Sequence, residues 1–241
     1  MRLNNARVIS FSGIDGAGKS TQIEAVQCYF RELGLRFSVY TFWDDVVVFS
    51  RFRERVSLKA FRGEKGVGSP DQPISRRDKN VTSWYVTVVR LLLYLMDACS
   101  LRAAVSRCCN ADVDFILFDR YIYDELANLP LNHWLLLLYV RLLLMVAPRP
   151  DLAFVVDADP ETAHARKPEY PLEFVRKNRA AYIALSRLVQ GMTVLEPFPI
   201  EETTAKINES ITRKFLQTDV GAAGLPSHCR ASARQSKMSS S

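Results

Sequence analysis

Gly13-Ile14-Asp15-Gly16-Ala17-Gly18-Lys19-Ser20 is the stretch on which the reading of this chain turns. It has the spacing Gly, four residues, Gly-Lys-Ser, and it lies between a strand-like apolar run at 7–12 and a helical pattern at 21–33 closed by Gly34. Gly13, Gly16 and Gly18 lack a Cβ, so the loop's N–H groups can close around phosphate oxygens. The helix behind them adds the partial positive charge of its N-terminus. Lys19 can reach the outer phosphates, and the Ser20 hydroxyl can ligate Mg²⁺. The stretch therefore predicts a site for ATP with Mg²⁺, made of Gly13, Asp15, Gly16, Ala17, Gly18, Lys19, Ser20 and Thr21.

Outward from this loop, strand and helix patterns alternate. Strands are expected at 36–42, 115–118, 152–156 and 193–195, and helices at 50–62, 80–107, 131–146, from 160 to 166, 172–190 and 200–216. Such alternation predicts an α/β protein with the three-layer P-loop NTPase fold, a parallel sheet with helices on both faces. Residues 63–73 hold three glycines and two prolines and read as a surface loop. From about residue 221 the chain is Ser-, Ala- and Arg-rich without periodicity, so 1–218 reads as one kinase-sized domain and 219–241 as a disordered basic tail.

The 241 residues carry 32 Lys and Arg against 26 Asp and Glu, a net charge of +6, and 48% of them are hydrophobic. Arg230, Arg234 and Lys237 follow the last acid, Asp219, so the folded part is only mildly basic. That balance suits an enzyme of polyanionic nucleotides and calls for no nucleic-acid partner. The cysteines (Cys28, Cys99, Cys108, Cys109 and Cys229) are odd in number with no CxxC spacing, which predicts a reduced, cytoplasmic protein. No leader pattern precedes the first strand. The apolar runs at 85–96 and 134–147 are interrupted by Arg90 and Arg141 and fall short of the roughly 20 residues a membrane span needs, so buried helices are expected and no membrane partner. His133, His164 and His228 are scattered, with neither metal-ligand nor triad spacing.

A magnesium–nucleotide enzyme needs a carboxylate at the end of a neighbouring strand. Phe115-Ile116-Leu117-Phe118-Asp119 offers one, followed directly by Arg120 and Tyr121. With these residues in view the chain resembles thymidylate kinases. Phe11 to Gln22 is similar to the opening of that family, and Asp119-Arg120-Tyr121 to its Asp-Arg-Tyr motif. Pro150-Asp151-Leu152, and Glu173-Phe174 leading through Arg176 to Tyr182, are similar to later segments, so the likeness runs roughly over 7–216. The resemblance implies that Asp15 contacts the acceptor's sugar, that Arg120 holds the acceptor phosphate with Tyr121 beside it, and that Tyr94 stacks on the base. It also implies Lys19 and Asp119 in catalysis and Ser20 and Asp119 as the Mg²⁺ residues.

The departures fall on the acceptor side. Where the family has Arg-Glu-Pro after the second strand, this chain has Phe42-Trp43-Asp44-Asp45, and Met96-Asp97-Ala98 stands for its Ala-Asp-Arg. Asp124 replaces a small hydroxyl residue and Asn128 an aromatic one. Arg90 and Arg102 on the same helix as Ala98, and the run Arg51, Arg53, Arg55, are candidate replacements for the missing arginines, Arg90 being counted with the substrate-binding residues. The loop itself carries no arginine, so charge on the migrating phosphoryl group must be met from a short lid around 166–174. Arg166 is its first candidate cation, and Lys167 and Arg176 come next.

The leading reading is phosphoryl transfer from ATP to a nucleoside monophosphate, dTMP to dTDP, with nucleotides as partners and a homodimer implied by the resemblance. Three rivals stay open: a deoxynucleoside or other small-molecule kinase, favoured by the missing arginines; a nucleotide-binding regulatory ATPase; and a catalytically weak relative acting through protein contacts.

Overall fold

The computed structural model describes residues 6–47, 84–109, 112–129 and 134–216, with side chains from 88 onward in the helix that opens at Trp84. The expected helix at 50–62 with its arginine run, the loop at 63–73, His133, and the tail at 219–241 with His228 and Cys229 lie outside the described residues.

The elements in chain order are β1 (Arg7–Ser12), α1 (Lys19–Glu32), β2 (Phe37–Thr41), a single π turn (Phe42–Val46), α2 (Trp84–Cys109), β3 (Phe115–Asp119), α3 (Ile122–Leu126), α4 (Trp134–Val146), β4 (Leu152–Val156), α5 (Pro160–Arg166), α6 (Leu172–Leu188), β5 (Met192–Leu195), α7 (Ile200–Ile211) and a closing π turn (Thr212–Leu216). The strands form one parallel sheet in the order β2-β3-β1-β4-β5. This is the three-layer α/β arrangement the alternation predicts.

Side chains alternate across the sheet because successive residues of a strand point to opposite faces. Ile9, Phe11, Phe115, Leu117 and Phe154 pack with Phe30 of α1 and Ile207 and Ile211 of α7. Val8, Ile116 and Phe118 pack on the other face with Leu101 of α2, Leu126 of α3 and Leu143 of α4. Phe30 stacks on Phe115 with ring centroids 4.4 Å apart, and both rings are fully buried. Each such burial stabilises the fold by about 1.5–3 kcal/mol. The lower edge of the sheet is pinned by carboxylates. Asp114, almost fully buried, accepts from the Arg36 guanidinium at 3.1 and 3.2 Å and from the Arg36 backbone N–H at 2.9 Å, and Asp151 accepts from the Val8 N–H at 2.9 Å.

Several boundaries differ from expectation for local reasons. β2 stops at Thr41, not Phe42, because the Asp45 carboxylate takes the Thr41 N–H at 2.6 Å and turns the chain into the π turn, with Phe42 and Val46 buried on one side of it. α2 runs on to Cys109 and α6 ends at Leu188. α7 ends at Ile211, and the remaining residues to Leu216 form the second π turn. α3, five residues long, was not anticipated at all. Cys28, Cys99, Cys108 and Cys109 are free thiols. Among the described residues no helix is long and apolar enough to cross a membrane.

Candidate functional site

β1 delivers the 13–18 loop to the carboxyl edge of the sheet at its centre, between β3 and β4. The backbone at Gly13 (φ 139°) and Gly16 (φ 82°) lies in the left-handed region. A Cβ at Gly13 would overlap the Val156 carbonyl at the end of β4, and one at Gly16 the Ala163 carbonyl in α5. The loop is thus threaded between two backbones that only glycine lets it approach. Gly18 is the residue before α1, so Lys19 and Ser20 form that helix's first turn.

Lys19 is buried in the loop it follows. Its ammonium donates to the carbonyls of Gly13 at 3.0 Å and Ile14 at 2.8 Å, curling the loop around it. Burial, reinforced by the charge of Arg120, brings its pKa down to about 8 against the pull of Asp15, Asp124 and Asp119. Asp119 at the end of β3 is therefore close enough to act on Lys19, and its own strand position lies beside Phe11 of β1. Ser20 and Thr21 are exposed at the mouth, and Ala17 is buried beneath it. A glycine cradle, a helix N-terminus and one buried ammonium fit a triphosphate chain. A hydroxyl at Ser20 and a carboxylate at Asp119 are hard oxygen donors suited to Mg²⁺.

Arg120 joins this half of the site to the next. Its backbone is left-handed (φ 68°), which costs a non-glycine residue about 1–2 kcal/mol, and its N–H donates to the Phe11 carbonyl at 2.9 Å. The guanidinium ion-pairs with Asp15 of the loop and with Asp124 of α3, the latter at 3.0 Å. Burial opposes its charge, and the two carboxylates overcome that and raise its pKa. For Asp15, burial pushes the carboxyl up, but Arg120, Lys19 and Lys167 together hold it below its ordinary value.

Asp124 is the hub that sequence reasoning missed. Almost fully buried, it accepts four hydrogen bonds: from Arg120 at 3.0 Å, the Tyr182 hydroxyl of α6 at 2.7 Å, the Ser12 hydroxyl at the end of β1 at 2.7 Å and the Tyr121 N–H at 3.1 Å. It ties α3, α6, β1 and the Arg120 turn into one unit. Its signal in the sequence was a carboxylate that departs from the motif the chain resembles. Tyr182 and Ser12 both fall in stretches that carry the resemblance, which gives neither of them a role.

The remaining predicted residues are spread out. Tyr121 is fully buried, stacked edge-on to Phe118 at 5.4 Å, with its hydroxyl donating to the Pro148 carbonyl at 2.7 Å. That hydroxyl is engaged in the core below the sheet edge and does not join the Asp15–Arg120 cluster. Tyr94 is buried in the same core as Phe42 and Tyr121, and Arg90 is half-buried one turn earlier on α2. Arg166 is exposed at the end of α5. The next residue, Lys167, pairs with Glu169 at 3.2 Å and is the cation of this segment that acts on Asp15. Arg176 binds Glu161 at 3.0 Å, and Arg179 grips Asp157 with two bonds of 2.7 Å. Among the described residues no cluster of His, Cys, Asp and Glu could hold a metal by itself.

No family model matches the chain. A thymidylate kinase of Chlorobium luteolum (strain DSM 273 / BCRC 81028 / 2530) is 28% identical to it over 163 residues. The chain is distantly similar to a nucleotide kinase. The match spans 66% of this chain and 66% of the length of that enzyme, and the nucleotide-kinase likeness rests on it together with the α/β fold.

Proposed function

We propose that this chain is a kinase that transfers the γ-phosphoryl group of ATP, with Mg²⁺, to a small nucleoside or nucleotide acceptor. One observation carries the reading: the buried Lys19 ammonium held inside a glycine loop at the helix N-terminus, with Asp119 on the adjoining strand end. Gly13, Asp15, Gly16, Ala17, Gly18, Lys19, Ser20 and Thr21 bind the donor, and Ser20 and Asp119 hold Mg²⁺, which when bound offsets phosphate charge. Lys19 leaves the loop carbonyls for the outer phosphates, and Arg166 or its neighbour Lys167 covers the migrating group from the 166–174 lid. Little covalent chemistry is asked of the protein, since positioning and charge carry the rate.

The likeness to the thymidylate kinase carries one acceptor, dTMP, which would become dTDP, bound by Asp15, Arg120 and Tyr94 with Arg90 nearby. A second reading, an acceptor that offers a hydroxyl, is favoured by a separate observation: the Arg120 guanidinium already lies between two carboxylates. Residues 1–218 act as one domain in either case. The exposed apolar residues Val89 and Leu92 of α2 and Leu135, Leu138 and Leu142 of α4 support a homodimer built on these two helices.

ADP formation from ATP·Mg²⁺ tests the kinase reading. Turnover should depend on an added acceptor, and Lys19→Ala should reduce it at least 1000-fold in a protein that melts no lower than the parent. Undiminished turnover in Lys19→Ala would overturn it. Acceptor-independent ADP release would favour a regulatory ATPase instead.

A further inference from the structure

We infer that a cavity between α3, α4 and α6 is a second binding site, separate from the 13–20 loop, for a small molecule that carries one anionic group on an apolar body. The inference does not depend on the kinase reading, because none of the residues that reading uses lines the cavity.

The cavity holds about 300 Å³, the lower end of the range for small-molecule sites. Its walls are Ile122 and Tyr123 of α3, the last turns of α4 with the run on to Arg149, and residues 188–190 where α6 gives way to β5. Residues 147–149 lead into the start of β4, and 189–190 into the start of β5. In a parallel sheet the strand starts share one edge, whereas the 13–18 loop leaves the end of β1 at the other. The reaction site of such a sheet lies outside the carboxyl ends. Two walls of this cavity stand at the opposite edge.

Tyr123 is the residue that points to a ligand. It is only 3% exposed, with its ring 5.3 Å from that of Tyr121, and among the described residues its hydroxyl makes no hydrogen bond. A tyrosine hydroxyl this enclosed ordinarily has a partner, because it has given up water. Tyr121 shows the ordinary case, donating to the Pro148 carbonyl at 2.7 Å. The Tyr123 oxygen is not sealed in the core but opens on the cavity that the residue lines.

The rest of the lining gives the ligand its chemistry. Its charged residues are both cations, Arg141 and Arg149, and among the described residues neither guanidinium is paired with an acid. Burial raises the pKa of the Tyr123 phenol, and the charge of Arg149 opposes that rise, so the two groups feel each other. A hydroxyl and two guanidiniums are all donors, and an anionic group accepts from each of them. Leu144 and Met145 lie three and four residues beyond Arg141 on the same face of α4, and Leu188 comes from the end of α6. An apolar body can lie along these side chains while its charged end meets the arginines. A water molecule would serve the hydroxyl alone. It would leave Met145 and Leu188 as exposed as they are now.

The test titrates the full chain by calorimetry with naphthalene-1-sulfonate and with octanoate, with and without ATP·Mg²⁺, alongside the neutral naphthalene-1-sulfonamide and 1-octanol. Expected is a single site for at least one of the two anions, unchanged by the nucleotide. Its neutral counterpart should bind about tenfold or more weakly, the loss that follows from one hydrogen bond to a charged group. The aromatic and aliphatic arms tell the two kinds of body apart. Tyr123→Phe and Arg149→Gln should each weaken the anion by about tenfold, with ATP affinity unchanged. Tyr123→Phe should also melt no lower than the parent, since its hydroxyl has no bond to lose. No binding of either anion, equal binding of the neutral compounds, displacement by ATP·Mg²⁺, or full affinity in both variants would each overturn the inference. So would a Tyr123→Phe protein that melts lower, because the hydroxyl would then be bonded within the fold. None of these results bears on the kinase reading, which ATP turnover and Lys19→Ala decide.

Discussion

Burial brings Lys19 down to about 8, whereas the unfolded chain keeps that proton to about 10.5. Between these values the unfolded state binds more protons, so stability rises with pH across this window. Below it the fold carries the cost of keeping a charged ammonium buried and beside Arg120. A triphosphate in the loop supplies the missing negative charge and pulls the proton back. Nucleotide binding at pH 8.5 should therefore take up roughly 0.7 proton, seen as a slope when calorimetric binding enthalpies are compared in buffers of different ionisation enthalpy. A slope of zero would mean that Lys19 does not meet the phosphates. Gly16 gives a second prediction at this scale. Gly16→Ala must displace the Ala163 backbone and hold alanine at φ 82°, so it should cost at least about 2 kcal/mol in urea unfolding and remove ATP binding. The importance of both residues was legible from spacing alone, because the glycine-lysine pattern encodes a local backbone path. The partners of Arg120 were not legible. They come from α3 and the donor loop, 4 residues and 105 residues away along the chain, and only the fold brings them together.

The five-residue helix α3 is the element that most rewards a direct test. Its third residue, Asp124, takes bonds from β1, α6 and the Arg120 turn, so the helix acts as a clip more than as a packing surface. Asp124→Ala would leave the Arg120 guanidinium with Asp15 as its remaining carboxylate and would take the acceptor from two buried hydroxyls, for an expected loss of about 3 kcal/mol, the lower end for breaking a buried ion pair from one side. Tyr182→Phe removes one of the four donors and should cost only about 1 kcal/mol. Urea midpoints of the two variants check the order, and a Tyr182→Phe penalty equal to that of Asp124→Ala would show that the carboxylate is not shared. A helix this short has too few residues for any apolar period to appear, which is why the sequence held no trace of it. The π turn after β2 was hidden for a related reason: its cause is one Asp45 bond to the Thr41 N–H, a choice of side-chain geometry that no period encodes. By contrast α1, α6 and the four longer strands lie within a few residues of their expected places, since burial on one face repeats along the two helices and β1, β3 and β4 are continuous apolar runs buried on both faces.

At the scale of the molecule, the parallel sheet followed from the alternation of strand and helix patterns, but its order did not, because adjacency depends on crossovers that span most of the chain. The apolar surfaces of α2 and α4 were expected to be buried, and instead Leu92, Leu138 and Met145 stand 57%, 51% and 68% exposed. The homodimer proposed for these helices predicts sedimentation at twice 27.4 kDa, falling to the single mass when Leu138 and Leu142 are both replaced by glutamate, with the kinase loop still able to bind ATP. A wild-type protein sedimenting at 27.4 kDa at high concentration would exclude it. The seat of β1 in mid-sheet has a consequence for how the protein is born. Its neighbours are β3, where Arg7 meets Phe115, and β4, where Ile9 meets Leu152, so the first strand made is among the last to be enclosed. At about 5–20 residues per second a ribosome takes roughly 10–30 s to reach the end of β4. For that interval an apolar segment waits without either flank, and chains arrested before residue 150 should be the ones that chaperones hold and proteases cut.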